Sequence, residues 1–463
     1  MDEPNPTIPS ATNPNPSPRG HQIHVAIIGA GIAGCCLAVG LFRNPALDVH
    51  LYESHDGIGV RGAGLALHGN AIAAMDQISP AVKRAYFRKS HYMAGEEDLE
   101  MATSIILGSG KDAGTVVAEL GRAKGRRTVH RAHFIQGLIE EEVEDSREDN
   151  RGKLAIPSER VHFRKRLVEI QHDDDDDDDN NSQGQGKKRI TATFADGTAE
   201  RFDVLFGAEG VSSVTRGYVL GKHHPAAEPV NHDGWRCFNV LVPMAEAAAA
   251  LPRASIETVR MFCTPLGYVN GLPVDLGTTY SITCYQRDAK RPVAKRGGPF
   301  EAGEWKGFCR EVDLLISLLE KNHPYEGWKI RDHDPAPTYV RGDAIAMIGD
   351  AAHATAPHAG NGAAQAIEDA AVLTGVFARV TTPDDVGPAL RAFDAVRRPR
   401  SQRIVEITRR FGRLYSLDEG ERDMPRMRAE MREGGVYTNG VDMQGQVRGA
   451  VEWFERERER GGV

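Results

Sequence analysis

The chain has 463 residues, 40% of them apolar and 26% charged, a globular composition too long for a single ordinary core. Its net charge of −8 rests largely on one run of seven aspartates, Asp173 to Asp179. The remainder is close to neutral, so neither nucleic acid nor an anionic membrane is an expected partner.

Residues 1–20 are rich in Pro, Asn and Ser and lack an apolar stretch, which predicts a disordered tail and not a secretory signal. No run of about 18 apolar residues suggests a membrane span, and the expected location is cytoplasmic. Order begins at "HVAIIGAGIAGCCLAVGL": an apolar strand, then a helix from about Ile32 to Arg43. "LDVHLYE" is a second strand, so this strand–helix–strand unit predicts a parallel sheet with a right-handed crossover. Glycine-rich "RGAGLALHGNAIAAMDQI" (61–78) leads into a helix, and "TVHRAHFIQGLIEEEVED" (128–145) contains another.

"RVHFRKRLVEIQHD" and "KRITATFADGTAERFDVLFGAEG" read as three strands with a hairpin turn at Asp196–Gly197. The aspartate run between them is a solvated loop, disordered over 173–187, and not a metal site, since nothing fixes its geometry. From about 222 to 334 the pattern becomes strand-like, in "GWRCFNVLVPM", "TVRMFCTPLGYVNGLPV" and "TTYSITCYQR", with one helix in "EWKGFCREVDLLISLLEKN". The chain then returns to a strand, "AIAMIGD", a helix from about Gly362 to Val380, and charged helical sequence from 384 to 463. Cys35, Cys36, Cys237, Cys263, Cys284 and Cys309 include no C-x-x-C pair and read as reduced thiols in a reducing compartment.

Three motifs carry chemistry. In "GAGIAG", Gly29 allows a tight turn, Gly31 allows backbone to approach a diphosphate, and Gly34 allows close helix–strand packing; Ala30 lies within the same turn. Glu53, ending the second strand, stands where an acid takes ribose hydroxyls. The second motif, "DVLFGAEGVSSVTR" (203–216), ends a strand at Gly207 and continues through Glu209 and Gly210; Arg216 read by itself is a surface arginine. In the third, "AMIGDAAHATAPHAGNGAAQAIEDA" (346–370), Gly349 ends a strand, Asp350 can accept polyol hydroxyls, and Gly360, Asn361, Gly362 and Ala363 open a helix whose N–H groups suit an electron-rich group.

Together the three motifs resemble the flavin-binding set of the single-component FAD-dependent aromatic hydroxylases. The resemblance extends over about residues 22–400 and is closest to fungal salicylate-hydroxylase-like monooxygenases. It implies an α/β fold: a Rossmann-like FAD-binding domain (21–90, 125–221 and 335–400), an inserted, mainly antiparallel substrate domain (91–124 and 222–334), and a helical C-terminus (401–463). It implies that "GAGIAG" and Glu53 hold the ADP half of FAD, that Arg131 contacts the ribose-diphosphate region, and that Glu209–Gly210 serve FAD and the pyridine nucleotide. Asp350 would hold the ribityl chain, and Pro357 with the 360–363 backbone would face the flavin ring. Three positions depart from the family pattern: Glu209 stands where aspartate is usual, Gly69 where proline is common, and Trp235 where tyrosine is frequent.

The implied activity is hydroxylation of a phenolic substrate, salicylate-like or polyketide-derived, by NAD(P)H and O2 through a flavin C4a-hydroperoxide, in a monomer or homodimer. Arg236, His358 and Pro357 are the candidate active-site residues. Arg236 could pair a substrate carboxylate or phenolate, and His353 reads as structural. Epoxidation, a non-catalytic binding protein, a plain NAD dehydrogenase and halogenation are the alternatives. The dehydrogenase would leave two motifs without a task, and no W-x-W-x-I-P segment supports the halogenase.

Overall fold

The computed structural model describes residues 22–59, 64–92, 99–142, 154–172, 190–322, 327–418 and 423–461. The N-terminal tail and the aspartate loop lie outside the described residues. Strand Ile23–Ile28 forms the middle of a six-stranded sheet, parallel to Leu47–Tyr52 on one side and to Val204–Gly207 on the other. Val161–His162, Ile345–Met347 and the antiparallel edge Val340–Arg341 complete it. Its inner strands are nearly continuous apolar runs because layers on both faces bury them. Helix Ile32–Leu41 is buried at every residue, and helix Gly362–Phe377 packs against it where Gly40 abuts Thr374.

The stretch expected to give three strands gives five: Val161–His162, Leu167–His172, Ile190–Phe194, Ala199–Phe202 and Val204–Gly207. The middle three make a separate antiparallel sheet around the turn at Asp196–Gly197, where Gly197 has a φ of 83°. "ITATF" alternates buried and half-buried positions and suits a one-sided sheet, whereas "VLFG" is buried throughout and crosses into the two-sided parallel sheet. The helices expected to reach Arg43 and Val380 stop at Leu41 and Phe377.

The second large sheet has seven strands, in the order Trp328–Lys329, Trp235–Pro243, Thr279–Arg287, Gly267–Val274, Arg260–Thr264, Glu100–Leu107 and Val116–Lys124. The last two received no strand assignment from the sequence. Period-2 alternation divides this sheet into two faces. Phe238, Val240, Val269 and Ile282 pack with Leu315 and Leu319 of helix Arg310–Lys321. Trp235, Cys237, Tyr268, Leu272, Met101 and Ile105 share the opposite cluster with Phe411 and Tyr415 of helix Val386–Tyr415. Helices Met424–Asn439 and Met443–Gly461 finish the chain. Among the described residues no helix is long and apolar enough to cross a membrane.

Candidate active site

A cavity of about 380 Å³ runs between the two large sheets. One end is built by the glycine-rich turns. Gly29 has a φ of 110°, and a methyl group on it would run into the Ala208 carbonyl; one on Gly34 would strike the Gly29 carbonyl. These two glycines therefore close the turn, while Gly31, Ala33, Ala208 and Gly210 line the cavity. Gly31 starts helix Ile32–Leu41 without a side-chain cap, leaving its first N–H groups for a ligand. Glu53 accepts from the Ala30 N–H at 3.0 Å, the His55 N–H at 2.9 Å and Ser54 Oγ at 3.1 Å. Burial pushes its carboxyl up, and these bonds more than offset that, leaving it below the usual range. Each carboxylate oxygen has two acceptor positions, so Glu53 retains capacity for a hydroxyl.

Asp350 and Arg131 also line this end, and neither side chain makes a hydrogen bond or ion pair among the described residues. The accessible surface of Asp350 is cavity surface, walled by protein, so burial raises its carboxyl above the usual value. Gly349, with a φ of 57°, sets the carboxylate there; a methyl group on it would lie 2.9 Å from Ala33 Cβ. Gly360, Asn361, Gly362 and Ala363 form the floor, and helix Gly362–Phe377 opens without a side-chain cap. An uncapped helix start, an unpartnered carboxylate, an unpartnered guanidinium and side-chain-free turns fit FAD.

Glu209, expected to serve the cofactor, is half-buried beside lining residue Gly210 and is not itself among the residues that line the cavity. Its carboxylate accepts from the Thr215 N–H at 2.9 Å, Thr215 Oγ1 at 2.7 Å and Ser213 Oγ at 2.8 Å, securing the start of helix Val214–Leu220. Arg216 is fully buried instead of exposed. It donates to the carbonyls of Ala351 (3.0 Å), Ala352 (2.6 Å) and Ala226 (2.6 Å), bracing the turn that carries Asp350.

A buried charge network that the sequence reading missed supports the same floor. Asp369 accepts from the Gly349 N–H at 2.9 Å, from His353 Nε2 at 2.7 Å and from Arg397 Nε at 2.8 Å. Glu368 binds Arg397 at 2.7 Å, Arg400 through both carboxylate oxygens, and Asn70 at 2.8 Å. Gln365 connects Glu368 at 2.9 Å to Asn361 at 2.8 Å. The signal was present in "QAIEDA", which puts two acids on a helix otherwise apolar enough to be buried, and such acids require cationic partners. His353 thus serves the Gly349 turn.

The other end of the cavity is aromatic. Tyr268 stacks on Tyr285 with centroids 4.5 Å apart and meets Tyr415 edge-on at 5.1 Å. His358 shares a hydrogen bond of 2.9 Å with Tyr268 Oη, and its ring centroid lies 4.5 Å from that of Trp235. Burial, aided by the charge of Arg287, lowers the His358 pKa to about 3, so the ring is neutral. It can orient a hydroxyl but is a poor proton acceptor. Pro357 lines the cavity beside it, while Asn270, Thr283 and Thr103 supply polar groups from the sheet.

Arg236 is not in this cavity, which corrects its expected role as substrate anchor. Strand alternation sends its side chain with Phe238 to the opposite face, where it donates to the carbonyls of Gly298 and Gly327, the latter at 3.0 Å. Its apolar neighbours in sequence could not reveal which face it took.

A family model described as an FAD binding domain matches residues 22–408. The 6-methylsalicylate 1-monooxygenase of Aspergillus terreus is 35% identical over 442 residues, covering 94% of this chain and 93% of the relative. A salicylate hydroxylase of Pseudomonas putida is 28% identical, covering 85% and 86%. Among solved structures, a salicylate hydroxylase substrate complex superposes with a TM-score of 0.70 at 26% identity, covering 93% of this chain and 98% of that one. The chain belongs to the FAD-binding-domain family, and within it to the FAD-dependent monooxygenases.

Proposed function

We propose that this enzyme uses NAD(P)H and O2 to hydroxylate a phenolic aromatic ring of the salicylate class. The carrying observation is the single cavity that joins the FAD cradle to an aromatic pocket with few polar groups. Bound FAD supplies reduction by the pyridine nucleotide and activation of O2. Arg131 and the start of helix Ile32–Leu41 would hold its diphosphate, and Asp350 its ribityl hydroxyls. The uncapped start of helix Gly362–Phe377 would stabilise negative charge on its ring. Tyr268, Tyr285 and Tyr415 exclude water from the reacting centre, while His358 and Tyr268 orient the phenol. The relatives' printed substrates, salicylate and 6-methylsalicylate, support this substrate class. The reading places the enzyme in the cytoplasm as a monomer or homodimer.

The test is to supply FAD-loaded protein with NADH or NADPH, 2-hydroxybenzoate and isotopically labelled O2. Hydroxylated product carrying one labelled oxygen is expected. Pyridine nucleotide oxidation that no phenol stimulates, with peroxide as its sole product, would overturn the reading.

A further inference from the structure

The arginines carried by or next to the large antiparallel sheet differ in their partners. Arg287 is paired with Asp233 at 3.0 Å and with Asp418. Arg236 lies behind the sheet on two carbonyls. Arg126, in the turn between strands Val116–Lys124 and Arg127–His130, is 4% exposed. Among the described residues no carboxylate meets it, and its Nε and Nη1 atoms are buried without a hydrogen-bond partner. A buried charge left this way is costly unless something compensates it.

Its remaining contact points to the compensation. Arg126 Nη2 donates to Thr103 Oγ1 at 3.1 Å, and Thr103 lines the cavity. Guanidinium has no acceptor, so the Thr103 oxygen must accept; its own O–H is then available for a ligand in the cavity. His68 lines the cavity too, and among the described residues its buried Nδ1 has no partner. Burial together with the nearby Arg126 charge lowers the His68 pKa to about 3, so this ring brings no second cation. Asp350 and Arg131, the formal charges lining the cavity, are at the cofactor end. An anionic group reaching Thr103 in the cavity would therefore meet, behind that hydroxyl, a buried cation that no carboxylate among the described residues contacts.

We propose that the Arg126–Thr103 pair recognises the substrate's carboxylate: the Thr103 hydroxyl donates to it, and Arg126 positions that hydroxyl and supplies the balancing charge from behind. The inference rests on the salicylate-class reading and deepens it. It makes the enzyme select phenolic acids over neutral phenols of the same shape.

The experiment titrates FAD-loaded full-length protein with 2-hydroxybenzoate and with neutral, near-isosteric 2-hydroxybenzamide, following the flavin absorbance change. Wild type should prefer the acid. Arg126→Gln and Thr103→Val should each weaken acid binding by about ten- to a hundredfold, the range for a hydrogen bond to a charged group, and change amide binding by less than about threefold. If Arg126→Gln fails to retain FAD, Thr103→Val decides. Equal losses on both ligands, no loss on either, or a wild type that prefers the amide would overturn the proposal while leaving phenol hydroxylation standing. A wild type that binds neither ligand and oxidises NAD(P)H no faster with any phenol would instead refute the proposed function, and this inference with it.

Discussion

Arg397 is fully buried and donates to Asp369 at 2.8 Å, Glu368 at 2.7 Å and the Gln365 side chain at 2.8 Å. Arg397→Met keeps much of the volume and removes the charge. Glu368 keeps both bonds from Arg400, so most of the loss falls on Asp369, whose Oδ1 is left in the core without its cation. Removing one partner of a buried pair costs about 3–5 kcal/mol. Because Glu368 remains satisfied, the lower end, about 3 kcal/mol, is expected, a large part of the roughly 5–15 kcal/mol that holds a domain together. The same carboxylate accepts from the Gly349 N–H, so the turn presenting Asp350 should loosen and FAD affinity should fall on the order of tenfold. Urea unfolding of the apo-protein measures the first effect, and fluorescence titration with FAD the second. Arg398→Ala, one residue along the same helix and half-exposed in its pairing with Asp394 four residues earlier, is the control and should cost less than about 0.5 kcal/mol. A change in Arg397→Met no larger than in this control would refute the role given to the network.

Asp350→Ala should weaken FAD binding about ten- to a hundredfold, the worth of a charge-assisted hydrogen bond, without lowering apo-protein stability; equal affinity in a fluorescence titration would place the ribityl contact elsewhere. Arg236→Gln should cost about 1–3 kcal/mol in urea unfolding, because the Gly298 and Gly327 carbonyls lose their donor, with phenol affinity unchanged. An altered phenol affinity would contradict its position behind the sheet. In Gly412→Ala the new methyl would lie 2.6 Å from His358 Cδ2 and push the ring toward the cavity. Phenol binding should weaken and FAD binding should hold; unchanged phenol binding would argue against His358 as an orienting group. His358, neutral in the fold with a pKa near 3, takes up a proton near pH 6.5 once unfolded, so the unfolded state binds more protons between those values. Stability should fall by up to about 1.4 kcal/mol per pH unit from this residue as pH drops from about 6.5 toward 3. His358→Gln should flatten that slope in urea midpoints taken at pH 7, 6 and 5, and an equal slope would disprove the assignment.

The glycine-rich turns at one end of the cavity were legible in the sequence because their determinants are local. Turns that no side chain can enter demand glycine at fixed offsets, and a helix start must follow directly, so Gly29, Gly31, Gly34, Gly349 and the 360–363 segment announce themselves within a few residues. The strand–helix–strand order and the switch to a second sheet after about residue 222 are written in periodicity, which is also local. The direction of single polar side chains depended on the tertiary structure. Arg236 and Trp235 are adjacent in one strand, and only pairing with Thr279–Arg287 and packing against helix Arg310–Lys321 decides that the arginine faces away from the cavity and the tryptophan toward it. The bonds Glu209 accepts from the Thr215 N–H and two nearby hydroxyls were likewise not legible in its motif. The partners of Glu368, Asp369, Arg397 and Arg126 lie at distances along the chain that no spacing rule spans. Burial turns each of those charges into a demand for a partner, and burial is a property of the assembled fold.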